Sequence, residues 1–323
     1  MPDILIVGRD LVRQLLPMGT CIGLMEHALK AASDGTSVQG LRAIVPVPNV
    51  PGGLLGVMPG GVTVPARFGV KVISVRHGGN TQSHQGGVLL FDSESFAPIA
   101  LLHAGEITAI RTAAATAAAS KHLARPGARI LALLGTGEQA TTHLEAFTQL
   151  QAWDEIRIWG RDKLKAQQFA ARHANSNLRA AAPVAEAVAG ADVVCTLTAS
   201  ATPIFTADLL APGMHLNLVG ASVATAREVD SETVARGSFF VDHEAMTRSA
   251  GGEFITALRD GLIAETHIRA EVGSVLLGRA AGRQSAAEIT IFKSLGMPVE
   301  DLIAADFIVN EAKRLGVGVR ADF

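Results

Sequence analysis

The chain contains no tyrosine, which excludes every dehydrogenase whose general acid is a tyrosine. Cysteine is nearly as scarce. Cys21 and Cys195 are too few for a disulfide framework or a cysteine-rich zinc site. Cys195 lies in the apolar run Ala191–Leu197 and reads as a buried core thiol, not a nucleophile. The 10 histidines form no ligand pattern: His77 and His84 stand apart in a Gly-rich stretch, and no His-Glu-x-x-His occurs, so no metal is expected. Basic runs are missing and the formal net charge is -2, which argues against a nucleic-acid partner. No apolar run approaches the roughly 20 residues of a spanning helix, and no basic region precedes an apolar core at the start. The expected setting is cytoplasmic and reducing, with no membrane partner.

Apolar residues, by contrast, make up 48% of the 323 residues, enough for two domains with separate cores. The most informative stretch is Ala128-Arg-Ile-Leu-Ala-Leu-Leu-Gly-Thr-Gly-Glu-Gln-Ala140. Its apolar run reads as a strand buried on both faces, and a helical pattern follows to about Leu150. Gly135 permits the tight turn between them, Gly137 lets backbone approach a pyrophosphate, and Ala140 allows helix and strand to pack closely. The phosphates then meet free N–H groups at the positive end of the helix. A glycine pattern alone also suits an ordinary strand-to-helix turn. The buried strand before it and the helix after it favour a dinucleotide.

From Arg129 to Gly220, strand runs alternate with helical patterns. The expected strands are Ile130–Leu134, Glu155–Trp159, Leu178–Ala182, Asp192–Leu197 and His215–Val219, with Phe239–Val241 beyond them. Helical segments around Gln139–Leu150, Lys163–His173 and Val184–Ala189 separate them, which implies a parallel sheet covered by helices. The first part of the chain differs. Leu41–Val47, Val62–Val64, Val70–Val75, Val88–Phe91 and Ile99–Leu102 are short strand candidates between Gly and Pro clusters, after a helix near Cys21–Ala32. An alanine-rich helix, Thr108–Ala124, carries the chain from one region to the next, and Ala287–Gly316 reads as helical, returning to the first. The expected fold class is therefore α/β: a Rossmann dinucleotide-binding domain at 113–289, plus a discontinuous β-rich substrate and dimerisation domain at 1–112 and 290–323.

Arg42, Lys71 and Arg111 are the cations that need explaining. Alternation in Phe68–Val75 puts Lys71 on one face with Gly69 and Ile73. A lysine in an apolar strand is either paired and used, or an edge residue that snorkels to water. Arg111 lies near the start of the alanine-rich helix, where cation and helix terminus together suit a phosphate or carboxylate. Arg42 by itself reads as a solvated surface residue. Arg161 follows the second strand, where an acid accepts the ribose 2′-hydroxyl of NAD and an arginine accommodates the 2′-phosphate of NADP. With Lys163 nearby NADPH is favoured, and the intervening Asp162 keeps NADH open; a plain charged turn is the alternative.

In order and spacing, these segments resemble the ornithine cyclodeaminase and mu-crystallin family over nearly the whole chain. The resemblance rests on Gly69-Val-Lys-Val72, Ser83-His-Gln85, Val88-Leu-Leu-Phe-Asp92, Ile107–Ala114, Gly135–Ala140, Val219-Gly-Ala-Ser222, Ala270-Glu-Val-Gly273, Ile289–Gly296 and Val299-Glu-Asp-Leu302. It implies a homodimer joined through the β-rich domains and a small imino or amino acid substrate lying over the nicotinamide. It further implies a substrate set of Arg42, Lys71, His84, Arg111 and Ser222, with Lys71 and Arg111 catalytic and Lys71 serving in proton transfer. The implied cofactor set is Arg111, Thr112, Gly135, Thr136, Gly137, Glu138, Gln139, Ala140, Gly160, Arg161, Lys163, Thr196, Thr198, Val219, Gly220, Lys293 and Ser294. Gly252-Glu253 resembles a further family pair.

One departure bears on the reaction. The cyclodeaminases carry an aspartate in the loop after Val219, and the matching position here is Ser222, as in the family's ketimine reductases. The expected activity is thus NADPH-dependent reduction of 1-pyrroline-2-carboxylate or 1-piperideine-2-carboxylate to L-proline or L-pipecolate. The alternatives are a cyclodeaminase or amino-acid dehydrogenase of the same family, and a non-catalytic NADPH or small-ligand binding protein.

Overall fold

A computed structural model describes residues 3–50, 52–76, 84–173 and 177–322, apart from the side chains of Arg76 and His84. The chain divides into two compact units, Met1–Thr112 with Gly296–Phe323, and Ala113–Leu295. The first unit runs through β1 (Asp3–Val7), α1 (Arg9–Leu15), α2 (Met18–Asp34), β2 (Ser37–Gln39), β3 (Ala43–Pro46), β4 (Gly53–Val62), β5 (Arg67–Arg76), β6 (His84–Asp92), β7 (Pro98–His103) and the first part of α3 (Ala104–Leu123). The second holds β8 (Ile130–Leu134), α4 (Glu138–Leu150), β9 (Glu155–Trp159), α5 (Lys163–Arg172), β10 (Leu178–Ala180), α6 (Val184–Val188), β11 (Val193–Thr196) and β12 (His215–Leu218). It continues with α7 (Ser231–Arg236), β13 (Ser238–Val241), α8 (Glu244–Ala250), α9 (Gly252–Arg259), β14 (Ile268–Glu271), α10 (Val272–Leu276) and β15 (Thr290–Lys293). The chain then re-enters the first unit with α11 (Pro298–Leu315) and β16 (Val319–Asp322).

In the first unit the sheet order is β16-β1-β7-β6-β5-β4-β2, with β3 also on β4. Every pairing is antiparallel except β1 with β7. Alternate residues Met58, Ile73, Val88, Leu90, Ala100 and Leu102 are buried. α11 packs on α2 and on β4, β5 and β6, so this half-apolar face is covered by helix. β5 lies between β4 and β6 and is not an edge, so the snorkelling alternative for Lys71 does not apply.

The second unit is a parallel sheet in the order β10-β9-β8-β11-β12-β15-β13-β14. The chain runs from β8 to β9 and β10 on one side and then crosses to β11 and β12 on the other, which creates a switch point between β8 and β11, where α/β folds bind ligands beyond the carboxyl ends of their strands. The expected alternation of strand and helix is present, and β8, β11, β12 and β15 are buried along nearly their whole length. Phe147, Phe169, Phe205, Phe239, Phe254 and Phe292 are fully enclosed in this unit. Each such side chain contributes ~1.5–3 kcal/mol through removal from water. No helix of the described residues is long and apolar enough to cross a membrane.

Some elements differ from the sequence reading. Ala287–Gly316 is not one helix: Thr290–Lys293 is an inner strand of the parallel sheet and the helix starts at Pro298. The run Ile289-Thr-Ile-Phe292 has β-branched and aromatic residues suited to a strand, and Gly296 at φ +79 turns the chain before Pro298. This strand takes the second unit to Leu295, against the expected boundary at 289. The strand β4 covers Gly53–Val62, whereas only Val62–Val64 was expected, because four glycines and Pro59 mask its period. Pairing with β5 over its full length overrides those signals.

Candidate active site

In the first unit, the site begins with Lys71. At its register in β5 stand Met58 of β4 and Val88 of β6, so the side chain projects onto the face that α11 covers. It is 3% exposed. Its ammonium lies 3.0 Å from Oδ1 and 3.1 Å from Oδ2 of Asp301, which stands in the first turn of α11. Burial pulls the Lys71 pKa down to about 7, and the positive charges of Arg111 and Arg42 push the same way, while Asp301 opposes them by charge and hydrogen bond.

Arg111 of α3 is also buried, and its Nε donates to Asp301 Oδ1 at 3.2 Å while Nη1 donates to Glu300 Oε2 at 2.8 Å. Glu300 accepts in addition from the backbone amide of Met297, the residue before α11. Gly296 is required here: a Cβ would stand 2.3 Å from Arg111 Nη1, and φ +79 disfavours any side chain. Arg42 is half-buried between β2 and β3, close enough to lower the Lys71 pKa. The structure thus brings together the three cations singled out in the sequence. His84 begins β6, but its side chain lies outside the described residues, as do Ser83 and His77. Thr112 follows Arg111 in α3 and is buried.

In the second unit, every cofactor candidate falls at or just past the carboxyl end of a strand. Gly135 to Ala140 follow β8, and Gly160, Arg161 and Lys163 follow β9. Thr196 ends β11 and Thr198 lies just past it, Val219 and Gly220 follow β12, and Lys293 ends β15 with Ser294 next. Gly135 has φ +143, and a Cβ on it would sit 2.6 Å from the Leu197 carbonyl oxygen, so the turn admits only glycine. Gly137 caps α4 without a side chain, and a Cβ built there meets nothing within 4 Å. The positive end of α4 therefore opens on space that a phosphate fits. Ala140, fully buried, seats the helix on the sheet. Two buried polar atoms here, Gln139 Oε1 and Ser294 Oγ, have no partner among the described residues. These features fit a dinucleotide.

A Cβ on Gly160 would stand 2.7 Å from Thr136, so the turn after β9 lies against the glycine turn after β8. Asp162 caps α5, accepting from the amides of Leu164 and Lys165. Exposed Arg161 and Lys163 make no ion pair among the described residues.

The sequence reading assigned no role to four acids that organise these sites. Glu300 and Asp301 hold the cations of the first unit. In the second, buried Glu228 accepts from Thr196 Oγ1 at 2.7 Å, from the Thr198 amide and hydroxyl at 2.6 Å each, and from the Gly220 amide at 2.8 Å. Burial raises its pKa against the pull of those hydrogen bonds. Glu253 pairs with Lys293 at 2.9 Å, and the Lys293 ammonium also donates to the Ala221 carbonyl. Ser222 is half-buried in the loop that Lys293 and Glu228 fix. Among the described residues no three His, Cys, Asp or Glu could hold a metal together.

The model of the ornithine cyclodeaminase/mu-crystallin family matches residues 5–315. The chain belongs to that family. The ketimine reductase mu-crystallin of Mus musculus is 39% identical over 281 residues, 86% of each chain. A Delta(1)-pyrroline-2-carboxylate reductase of Bacillus cereus is 32% identical and covers 99% of this chain and 100% of its own. A solved structure of the Thermococcus litoralis Delta(1)-pyrroline-2-carboxylate reductase, in complex with NADH and L-proline, superposes with a TM-score of 0.95. It is 30% identical and covers 98% of this chain and 100% of its own. Membership of the family thus accounts for both units, the parallel sheet and the β-rich one.

Proposed function

We propose that this member of the ornithine cyclodeaminase/mu-crystallin family is an NAD(P)H-dependent reductase of cyclic ketimine carboxylates such as 1-pyrroline-2-carboxylate and 1-piperideine-2-carboxylate. The observation that carries the reading is the buried cluster of Lys71 and Arg111 with Arg42 beside it, a cationic site suited to one small carboxylate. The names of the relatives reported above agree with it. Gly135 to Ala140, Thr196, Thr198, Val219 and Gly220 hold the dinucleotide, with Arg161 and Lys163 favouring a 2′-phosphate and hence NADPH. When bound, the nicotinamide supplies a hydride to the imine carbon.

Arg42 and Arg111 hold the carboxylate, and Lys71 supplies the proton for the imine nitrogen. One hydride and one proton convert C=N to CH–NH, and Lys71 regains its proton from solvent. Ser222 has no carboxylate to act as a base at neutral pH, which separates this chemistry from ornithine cyclisation. The protein acts as a homodimer through its β-rich unit.

The test is a cofactor-oxidation screen over cyclic and acyclic imino acids, with ornithine as control. NADPH absorbance is expected to fall in proportion to cyclic imine reduced, with no ammonia from ornithine. Ammonia and proline formed from ornithine with catalytic NAD, and no imine-dependent loss of NADPH, would overturn the reading.

A further inference from the structure

We propose that Asp301 is the positioning residue that holds and aims the Lys71 ammonium, and so sets the pH above which this enzyme loses its proton donor. The kinetic half of this inference rests on the reductase reading above; the half that concerns the Lys71 proton does not.

The geometry is one-sided. Lys71 is enclosed, and both oxygens of Asp301 lie on its ammonium, at 3.0 Å and 3.1 Å. The charged groups that act on Lys71 come from three elements: Asp301 from α11, Arg111 from α3, and Arg42 from the segment before β3. The flanking strands β4 and β6 offer Met58 and Val88 at its register, neither of which can ionise. Two cations and burial therefore press Lys71 toward the neutral amine, and Asp301 presses the other way. Glu300 is committed elsewhere, to Arg111 Nη1 and the Met297 amide.

Asp301 is also placed to fix direction. Oδ1 receives Arg111 Nε at 3.2 Å as well as Lys71, so one carboxylate spaces the ammonium from the guanidinium. Its location in the first turn of α11 ties that spacing to a helix packed on β5. An ammonium held this way keeps the remaining N–H bonds for a substrate. In turnover one of those N–H bonds breaks as the substrate's N–H bond forms, the hydride comes from the nicotinamide, and the neutral amine is reprotonated by water.

Lys71 can be followed without turnover by NMR of the full-length chain labelled with [13Cε]lysine, its signal identified by disappearance in Lys71→Met. Titrating the parent and Asp301→Asn should show the midpoint of Lys71 falling by at least ~1 pH unit when the carboxylate is lost. The alkaline limb of kcat/KM for the cyclic imine should fall by the same amount. Asp301→Glu, which keeps the charge on a longer arm, should restore most of both, and the neutral Asp301→Ser serves as the test if Asp301→Asn does not fold. An unchanged Lys71 midpoint in a folded variant whose residue 301 carries no charge overturns the inference, whatever the activity. A midpoint that falls in a protein that reduces no imine upholds the role of Asp301 and refutes the reductase reading.

Discussion

A lysine enclosed beside two arginines is unstable as a cation, and Lys71 stays usable only because Asp301 shares the enclosure. The sign of its pH effects follows from that. Its pKa falls from 10.5 unfolded to about 7 folded, so between those values the unfolded chain binds the extra proton. This group therefore adds stability as pH rises through that window, while a reaction that needs the Lys71 proton slows over the same range. Lys71→Met keeps length and apolar packing but removes the charge. Turnover of the cyclic imine should fall on the order of a hundredfold or more, with NADPH binding by fluorescence titration unchanged. A variant that reduces imines at the parent rate would show that Lys71 is not the acid. Lys71 and Arg111 were legible because a charge inside an apolar pattern stands out. Glu300 and Asp301 were not, since acids in the first turns of a helix are ordinary on any exposed helix.

At the scale of elements, β8, its glycine turn and α4 make up the unit that fits the dinucleotide, and on the proposed reading the turn after β9 carries the charges that choose between its two forms. The cap formed by Asp162 commits that carboxylate to the backbone of α5 and leaves Arg161 and Lys163 as the charges on offer. Arg161→Ala should weaken NADPH binding on the order of tenfold or more while NADH binding stays nearly constant, since one charge-assisted contact is worth ~1.5–3 kcal/mol. Calorimetric titration with each cofactor checks this; equal losses for both would make Arg161 structural. The strand–turn–helix was readable because its period and its glycines agree. The strand β15 was not, because a short apolar run is compatible with either period, and only neighbours on both sides in the sheet decide.

At the scale of the molecule, the sheet of the first unit has one face under α11 and another that is apolar and open. Ile6, Leu101, Leu89 and Val70 follow one another across β1, β7, β6 and β5, and Ile6, Leu101 and Val72 are 37%, 40% and 37% exposed. A contiguous apolar face of this kind is what a homodimer covers. Light scattering should give twice the 33.6 kDa chain mass, and Leu101→Lys should shift the mass toward the monomer, because it places a charge in the middle of an apolar face. A parent protein that is monomeric at micromolar concentration would rule this face out as a dimer contact.

The sequence by itself determined the parts that are local. These are the alternation that makes a parallel sheet, the glycines that a tight turn demands, and the cations that break an apolar pattern. Family likeness follows from the order of those same segments. The tertiary structure decided the parts that depend on distance across the chain. Asp301 reaches Lys71 from 230 positions away, and Glu228 ties the loop after β11 to the loop after β12 from 32 positions beyond Thr196. No period or spacing encodes such pairs. A buried charge needs a partner because the interior solvates it poorly, but which acid supplies it is settled only when helix and strand pack.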